Sequence, residues 1–476
     1  MPAFKPTIGL EIHAELKTKT KMFCDSRNDP FEAETNVNIC PVCLAHPGTL
    51  PVINREAVKH VLRVGAALQG KLADYTEFDR KNYFYPDLPK GYQISQYEFP
   101  LVSGGELDGV QITRVHLEED TASSLHDDAT GVTTIDYNRA GVPLMELVTD
   151  PVITSAEQAG AFARELQLLL RYLGASEANM EKGEMRVEAN ISMGKKGGIG
   201  TKVEIKNLNS FNAMERAVRY EIARQTKLLE EGKEILQETR GWDEGKQATF
   251  AQRVKEGSAD YRYFPDPDLP SLRLTEMADI SVDALTAGLP ELPSRRRARY
   301  LSLGIKEDDA RSLTSEPTLG GYFDAVLAQI PRDVTPQLAA NYIVNDLVKL
   351  LRDTVSRDTE YLTDIPISPR NFSTILSMVA SRSITSRVAK DLLQEVLISR
   401  TEPEAIAKEM GLLMTTDQNS FAGLVDKILS ENSAVAEDYK RGKAAALEYL
   451  MGQAMRATRG SADPESIRAL MLSKLN

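Results

Sequence analysis

Alternating apolar and polar residues mark five segments of the chain, all before about residue 290, as strands. In residues 10–16 a period of two places Glu11, His13 and Glu15 on the face opposite the apolar side chains. The same alternation recurs in residues 114–120, 135–139, 185–193 and 202–206. The pattern predicts an antiparallel sheet with one buried face and one face that lines a cleft or meets water.

The polar faces of these strands share an inventory of carboxylates, histidines and single cations. For any one strand, a solvated sheet face is the more ordinary explanation. Taken together, the side chains are those that hold Mg²⁺ and phosphate oxygens, so a metal-phosphate cleft is the competing hypothesis. The outward positions with polar side chains are Glu11, His13, Glu15, Arg114, His116, Glu118, Arg186, Glu188, Asn190, Lys202, Glu204 and Lys206.

The segment from Gly65 to Lys71 matches the phosphate-loop pattern G-x-x-x-x-G-K. Leu72 stands where that loop needs a hydroxyl for Mg²⁺, and residues 58–72 have a helical pattern. We interpret the match as chance. If ATP binds, the predicted mode is carboxylate-held metal across the sheet.

Helical periodicity dominates the chain from about residue 295 to its end, whereas the preceding part holds few helices. The clearest early helix is predicted to begin at Thr154, with Glu157 as its capping-box partner, and to stop at Gly174. A proline cluster before residue 295 and a break near 401–417 divide the chain. The predicted domains are residues 1–293, 294–408 and 409–476.

Composition describes a folded chain whose average surface repels polyanions. Its 476 residues include 57 Lys and Arg against 69 Asp and Glu, a net charge of -12. This balance argues against a DNA coat protein and against a membrane-surface binder. The sequence has neither a recognisable signal peptide nor an apolar run of about 18 residues, so a cytoplasmic protein is expected.

Cys24, Cys40 and Cys43 are too few for a disulfide framework in so long a chain. Their spacing is that of a zinc ribbon with its fourth ligand missing, unless Asp25 or His46 supplies it. Three reduced structural thiols explain the pattern equally well. A redox role is a weaker interpretation, because no thioredoxin-like strand and helix surround the pair.

Aromatic residues alternate with cations and amides in residues 80–87, 91–96 and 260–265. Such mixtures stack on bases or sugars and bind phosphates. Packing of rings around proline-rich loops explains the same composition equally well.

The last 37 residues, 440–476, reverse the sign of the charge, with seven Lys and Arg against three Asp and Glu. Arg456 and Arg459 lie three residues apart there, on one face of a helix predicted to end at Gly460. A solvated helix end would look the same, since the helix dipole favours cations near its C-terminus. The segment is a candidate contact for a polyanion.

Longer motifs resemble those of a known family. Residues 136–147 closely resemble a motif of the B subunits of glutamyl/aspartyl-tRNA amidotransferases, the GatB family. Several long ungapped motifs in family order are far more specific than any short pattern. They are residues 9–13, 80–86, 116–120, 188–192, 204–210, 260–265 and 452–464, so the resemblance spans the whole chain.

This resemblance implies an α+β fold: an antiparallel-sheet cradle related to glutamine synthetase, then an all-α domain and a small helical tail that reaches tRNA. It implies a ligase that uses Mg²⁺ and ATP to phosphorylate the side-chain carboxylate of Glu on tRNA(Gln) or of Asp on tRNA(Asn). Ammonia then displaces phosphate. The implied partners are a glutaminase (the A subunit of such a complex), a small C subunit and the misacylated tRNA.

The resemblance also assigns roles to residues. The implied Mg²⁺ ligands are Glu11, His13, Glu119 and Glu188, and Glu146 completes the catalytic set. Strict alternation would favour Glu118 over Glu119, so a bulge is required to bring Glu119 to the site. The implied ATP contacts are Arg139, Asn190, Lys202, Glu204 and Lys206, and the implied tRNA contacts are Arg456 and Arg459.

One departure concerns the thiols. Zinc-binding members of this family carry C-x-C before C-P-x-C, whereas Cys24-Asp25-Ser26 lacks the second thiol, which weakens the case for a structural zinc. Two other classes of function remain as alternatives. A non-catalytic tRNA-binding scaffold would leave the acidic and histidine-bearing strand faces without a purpose, and a free-standing synthetase for small amino acids would turn over without tRNA.

Overall fold

The computed structural model describes residues 4–127, 129–195, 198–254, 261–354, 365–414, 418–458 and 462–475. The chain divides into two compact units, Met1–Pro293 and Ser294–Asn476. The strands are β1 Phe4–Glu15, β2 Lys71–Leu72, β3 Tyr75–Thr76, β4 Asp79–Asn82, β5 Tyr92–Ser95, β6 Val102–Ser103, β7 Glu106–Leu107, β8 Val110–Glu119, β9 Ser123–Asp127, β10 Val132–Asp136, β11 Pro143–Thr149, β12 Met185–Lys195, β13 Val203–Leu208, β14 Glu238–Asp243, β15 Ala248–Val254, β16 Phe264–Pro265 and β17 Leu272–Arg273.

Helices cover one face of the sheet in the first unit. The elements described in the second unit are all helices. They are α1 Arg55–Ala67, α2 Ala156–Tyr172, α3 Phe211–Glu230, α4 Val282–Ala287, α5 Pro293–Ser302, α6 Glu307–Thr314, α7 Pro317–Leu327, α8 Pro336–Tyr342, α9 Val348–Thr354, α10 Pro369–Ala380, α11 Ser386–Ser399, α12 Pro403–Glu409, α13 Gln418–Glu431, α14 Ser433–Lys440, α15 Ala444–Ala457 and α16 Pro464–Leu475, with 3₁₀ turns at Leu274–Glu276 and Ala278–Ile280 and a π-helical turn at Ile343–Leu347. None of the described helices combines the length and apolar composition that a membrane span needs.

A ten-stranded sheet organises the first unit, in the order β15-β14-β13-β12-β1-β11-β8-β6-β2, with β7 beside β8. Neighbours are antiparallel except β13 and β14, which run parallel. The fold is therefore α+β with a mixed sheet, and the prediction of a purely antiparallel sheet is wrong for the β13–β14 pair. The reason is α3, which connects β13 to β14 and provides the crossover that parallel neighbours need.

Four of the five predicted strands lie in this sheet, as β1, β8, β12 and β13. The fifth is right only at its start: Ile135 and Asp136 end β10, which among the described residues pairs with β9 as a separate two-stranded ribbon. Asn138 is instead buried in a loop, where its Oδ1 accepts hydrogen bonds from Val37 N and Asn38 N. The neighbouring strand β11, which pairs with β1, was not predicted.

The apolar face of the sheet packs on α1, α2 and α3 in one hydrophobic core. Ile8, Leu10 and Ile12 of β1 are fully buried there, as the alternation predicts. Burying side chains of this size stabilises the fold by about 1.5–3 kcal/mol each. The opposite face of the same strands therefore has its position fixed by the core beneath it.

Helix α2 confirms the predicted helix with a shift of one residue at its start. Ser155, not Thr154, is the N-cap, and its Oγ accepts from Gln158 N while Gln158 Oε1 accepts from Thr154 N. The bonds resemble a capping box, but Gln158 replaces the predicted Glu157 and accepts from the residue before the N-cap. Gly174 ends the helix as predicted, with φ +62°.

The second unit contains two separate hydrophobic clusters. One runs from Tyr300 to Leu412 and draws on α5 to α12, and the other runs from Phe421 to Leu475 and draws on α13 to α16. Each cluster buries the apolar stripes of short amphipathic helices.

Candidate active site

Four neighbouring strands each place one side chain in a row across the middle of the sheet. The ladders pair Arg186 of β12 with His13 of β1, His13 with Glu146 of β11, and Glu146 with His116 of β8. Residues directly opposite each other in an antiparallel ladder project from the same face. The row therefore lies on the polar face, away from the core helices.

The neighbouring rows extend this polar face in both directions along β1. Toward its start, Glu11 pairs with Glu188, and Gly9 pairs with Asn190. Toward its end, Glu15 pairs with Leu144, which in turn pairs with Glu118. These positions are on one face because the period of each strand is two.

Two histidines and three carboxylates converge at the centre. His13 Nε2 lies 3.4 Å from Glu146 Oε2, 3.7 Å from Glu118 Oε1 and 4.0 Å from Glu11 Oε1. His116 Nε2 lies 3.5 Å from Glu146 Oε2 and 3.8 Å from Glu118 Oε2. Such a set of oxygen and imidazole atoms is suited to a divalent cation.

The acids favour the charged form of both imidazoles. Burial alone would lower the pKa of His116, but the charge of Glu146 and the bond to Glu118 outweigh it and raise the pKa to about 9. Burial also acts to lower the pKa of His13, and its bond to Glu146 reverses that shift as well. A bound divalent cation would replace this positive charge, and an imidazole that ligates the cation would release its proton.

The cations in turn keep the two most buried acids ionised. Burial acts to raise the pKa of Glu146, but His116 and His13 bring it well below the ordinary value. Burial acts in the same way on Glu118, which is only 2% exposed, and Lys81 with His116 lowers its pKa. Both carboxylates are therefore charged at neutral pH and available as ligands.

Glu11 and Glu188 lie beside this centre. They differ in their neighbouring charges and in their hydrogen bonds. Burial and the charge of Glu146 raise the pKa of Glu11, whose side chain is 31% exposed. Glu188 Oε1 accepts from Lys206 Nζ at 2.9 Å, while its Oε2 is buried without a hydrogen-bond partner. Asn190 Oδ1, on the same strand, is likewise buried without a partner. Unpartnered buried oxygens are costly, and a bound cation or ligand donor would satisfy them.

Glu119 does not join the cluster. The β8–β11 ladder runs in register through Glu118 and Glu119, so the bulge that Glu119 requires is absent there. Its carboxylate instead accepts from Lys90 Nζ at 2.7 Å and from Ile94 N at 2.9 Å. Glu118 occupies the position beside the histidines, as strict alternation favours.

The predicted ATP contacts are only partly brought together. Lys206 and Asn190 lie beside the centre. Glu204 is on β13 with Lys206, but its carboxylate accepts from the hydroxyl of Thr239 on the next strand, β14, at 2.6 Å. Arg139 donates to the carbonyl oxygens of Thr121 and Ala122 and lies 3.8 Å from Asp120.

Lys202 is exposed and lines a small cavity at the end of the polar face. This cavity, of about 230 Å³, continues the polar face toward the start of β1. Gly9 forms part of its wall, where a Cβ would approach Pro151 Cα to 3.7 Å. Half of the residues that line it are apolar, namely Gly9, Leu10, Val148, Pro151 and Ile199, and the other half are Thr7, Thr149, Asn190, Ser192 and Lys202. Such a lining suits a flat apolar ring with a few polar contacts.

At the other end of β1, Asp120 is buried between two arginines. Arg186 Nη2 donates to its Oδ2 at 2.8 Å, and Arg139 Nε lies 3.8 Å away. Burial would raise the pKa of Asp120, but Arg186 and Arg139 lower it. Neighbouring Glu15 differs, because burial and the charge of Asp120 raise its pKa to about 8.

Aromatic residues surround the β4 side of the cluster. Lys81 Nζ lies 4.0 Å from Glu118 Oε2 and 5.3 Å from the centre of the Tyr261 ring. The Tyr97 and Tyr263 rings stack at 4.5 Å. The Tyr83 and Tyr261 rings, which belong to two of the predicted aromatic segments, pack edge to face at 5.9 Å, while Asp260 lies outside the described residues.

The three thiols form a separate cluster. Cys43 Sγ accepts from Cys40 N at 3.1 Å and lies 3.8 Å from Ser26 Oγ and 3.9 Å from the buried Lys21 Nζ. The bond to Cys24 lowers the pKa of Cys43 to about 4, with Lys21 acting in the same direction. Structural zinc sites have four ligands, and the described groups that could hold a metal here contain only the three thiols. These residues do not fit a closed zinc site.

Arg456 lies in the last turn of α15, as predicted for a cation near a helix end. The helix ends earlier than predicted, at Ala457 with Thr458 as its cap. Arg459 and Gly460 lie outside the described residues.

Sequence reasoning did not select four residues that the structure brings to the polar face of the sheet. Period-two alternation already marked three of them as outward, namely His116, Glu118 and Arg186, and Lys81 lies in a segment recognised only for its aromatic content. The missing information was which strands are neighbours.

Comparisons with known proteins show which family the chain belongs to. The GatB/GatE catalytic domain model matches residues 6–278, and the GatB domain model matches residues 321–475. Proteins named as the B subunit of aspartyl/glutamyl-tRNA(Asn/Gln) amidotransferase are similar over nearly their whole length. The protein from Carboxydothermus hydrogenoformans is 42% identical over 100% of this chain and 99% of its own, that from Thermus thermophilus 45% over 99% of each, and that from Thermoanaerobacter pseudethanolicus 40% over 99% of each. The chain therefore belongs to the GatB family of tRNA-dependent amidotransferase subunits.

Proposed function

We propose that this chain activates the side-chain carboxylate of Glu on tRNA(Gln), or of Asp on tRNA(Asn), with ATP and then amidates it. A carboxylate oxygen would bond to the γ-phosphorus while the bond to the ADP oxygen breaks. Ammonia nitrogen would then bond to the acyl carbon, phosphate would leave with the C–O electron pair, and the nitrogen would lose a proton. As a GatB family member, the chain is part of a glutamine-dependent ligase.

One observation carries the proposal: Glu11, Glu118, Glu146 and His13 converge on the polar face of the sheet. These residues would hold Mg²⁺, with Glu188 adjacent through its unpartnered Oε2. When bound, Mg²⁺ neutralises nucleotide and substrate oxygens that must meet in one place.

The cavity beside Gly9 supports a direction for the nucleotide. An adenine ring would fit its apolar wall, with Asn190 Oδ1 and Lys202 as the polar groups within reach. From Gly9 to His13 is four residues, about 13 Å along β1. A triphosphate laid along this strand would bring its last phosphate to the histidine row. Lys206, beside Glu188, would contact phosphate oxygens there.

We propose two partner subunits and a structural relative for the sheet as well. The relatives' names describe one subunit of an amidotransferase for aspartyl- and glutamyl-tRNA. Accordingly, we propose that a glutaminase, the A subunit of the complex, supplies ammonia and that a small C subunit braces the pair. We also propose that the sheet is related to the cradle of glutamine synthetase. We propose no chemical step for zinc.

Acyl phosphate formation tests the proposal. The complex assembled with Glu11→Gln or His13→Ala is incubated with misacylated tRNA and ATP labelled in its γ-phosphate. We expect both variants to lose at least 100-fold in labelled acyl phosphate, because each removes a group from the charge-neutralising centre. Glu106→Gln, an exposed acid on β7, is the matched control.

Full acyl phosphate formation by both variants would favour the alternative, a non-catalytic tRNA-binding scaffold. Turnover of a free amino acid without tRNA would favour the free-standing synthetase.

A further inference from the structure

Arg186 lies at the edge of the metal-ligand cluster, where one nitrogen of its guanidinium is bonded and its side chain is partly exposed. It is opposite His13 in the β1–β12 ladder. Its Nη2 donates to Asp120 Oδ2 at 2.8 Å, yet 38% of its side chain remains exposed. Asp120 is itself fixed, because it is buried and its Oδ1 accepts from Thr121 N at 2.8 Å. A guanidinium anchored on one side presents its other N–H groups in a fixed plane.

The partner of Arg186 distinguishes it from the other cations near the centre. Those cations contact acids of the cluster or of its immediate edge, as the pairs Lys206–Glu188, Arg114–Glu146 and Lys81–Glu118 show. Asp120 belongs to none of the groups of described residues that could hold the metal. The anchor of Arg186 is therefore independent of metal binding.

The Arg186 side chain extends from the central row, where it is opposite His13, to Asp120. The cavity is at Gly9, toward the start of β1, whereas Asp120 follows Glu118 and Glu119 near its end, where Glu118 shares a row with Glu15 through Leu144. Phosphoryl transfer needs the attacking and leaving oxygens roughly in line. If the nucleotide extends from the Gly9 end, the attacking carboxylate approaches from the Glu15 end, where Arg186 is a partly exposed donor.

We propose that Arg186 binds the side-chain carboxylate of the misacylated tRNA and thereby distinguishes the substrate from its amidated product. This inference rests on the proposed function and identifies the residue that recognises its substrate. A carboxylate accepts two parallel hydrogen bonds from a guanidinium fork. An amide offers one acceptor oxygen and turns an N–H₂ donor toward the same fork, so the product forms one bond fewer and meets an unpaired donor. The same contact therefore favours product release.

The test measures discrimination rather than total affinity, since most tRNA contacts are shared by substrate and product. The assembled complex is titrated with Glu-tRNA(Gln) and with Gln-tRNA(Gln), or with the Asp and Asn pair if that is the substrate that the wild type amidates. We expect the wild type to bind the acid form at least tenfold more tightly. Arg186→Gln should bring the two dissociation constants within about threefold, and Arg186→Lys, which keeps the charge without the fork, should lie between.

Two controls separate this proposal from a structural role and from the proposed function itself. Arg219→Gln, an exposed arginine paired with Glu157 on α2, should leave the discrimination unchanged. ATP binding by Arg186→Gln should stay within threefold of wild type. If the Gln variant does not fold, Arg186→Lys alone decides. Discrimination that survives in the folded variants overturns the role of Arg186, whereas a wild type that neither binds ATP nor forms acyl phosphate overturns the proposed function.

Discussion

Glu118 and Glu119 are neighbours in the chain, yet their carboxylates serve different partners: Glu118 Oε1 lies 3.7 Å from His13 Nε2, and Glu119 lies 2.7 Å from Lys90 Nζ. This relationship gives a matched pair of variants. Glu118→Gln should weaken Mg²⁺ activation of acyl phosphate formation at least tenfold, because it removes a buried charged ligand. Glu119→Gln should leave the Mg²⁺ activation constant within threefold. An equal shift in both, measured by Mg²⁺ titration, would contradict the assignment.

Gly9 should control access to the nucleotide cavity. A Cβ there meets nothing closer than 3.7 Å, so Gly9→Ala is expected to fold and to change the KM for ATP by less than threefold. Gly9→Val adds methyl groups inside the cavity while suiting a strand, and should raise the KM for ATP at least tenfold. Circular dichroism checks the fold of both. Equal KM values for Ala and Val would remove the nucleotide from this cavity.

Glu15 should make stability depend on pH. Burial and Asp120 raise its pKa from 4.5 to about 8, so the folded state keeps a proton that the unfolded state releases. Stability is therefore lost as pH rises from about 4.5 to about 8, and the loss is complete above that range. Glu15→Gln removes the ionisation and should raise the thermal midpoint at pH 8.5 by roughly 2–4 °C per kcal/mol recovered.

At pH 5 the difference between Glu15→Gln and wild type should be small, because Glu15 is still protonated in the folded state. Glu106→Gln, at an exposed position, provides the control and should show no such trend. A difference in midpoint that is constant across the pH range would contradict the prediction.

The thiol cluster should hold substoichiometric zinc. Three thiols leave one ligand position unfilled, and the groups next to Cys43 Sγ are Ser26 Oγ and the Lys21 ammonium. We expect wild type to contain well under one zinc per chain by elemental analysis and to keep its thermal midpoint in EDTA. Ser26→Cys supplies a fourth thiol and should raise zinc toward one per chain. Stoichiometric zinc in wild type would show that another group completes the site.

The tail should contribute electrostatically to tRNA binding. Arg456 lies in the last turn of α15, within a segment of positive charge. The double variant Arg456→Ala/Arg459→Ala should bind tRNA more weakly, with a salt slope reduced by about 1 for each phosphate that is no longer neutralised. Arg311→Ala, an exposed helical arginine paired with Glu307 outside the tail, serves as control. Binding with unchanged affinity and salt slope would dismiss this role.

Alternation was sufficient to predict β1, β8, β12 and β13, because each has one buried and one polar face. It missed β11, which is buried along most of its length and so shows no alternation. It also overextended residues 135–139, where the buried Asn138 side chain is held by hydrogen bonds to the distant residues Glu34 and Val37 instead of a ladder. A period of two therefore reveals strands that are buried on one face, misses strands that are buried on both, and can also occur in a loop.

The site was predictable one strand at a time and not as a whole. Alternation favoured Glu118, and the structure agrees, whereas the resemblance led to Glu119. The link between Arg186 and Asp120 joins residues 66 positions apart, and no local pattern could reveal it. Pairing order across the sheet decides such contacts, and that order depends on the packing of the whole core.

The row formed by His116, Glu146, His13 and Arg186 has a consequence for the order in which the protein acquires activity during synthesis. The chain leaves the ribosome from its N-terminus, so β1, β8 and β11 are complete before β12 exists. Until β12 pairs with β1, Arg186 and Glu188 are missing from the polar face. A nascent or truncated chain that ends before β12 would thus display acids and histidines without the strand that completes the substrate side. The chain would therefore become able to use ATP for amidation only after β12 has paired with β1.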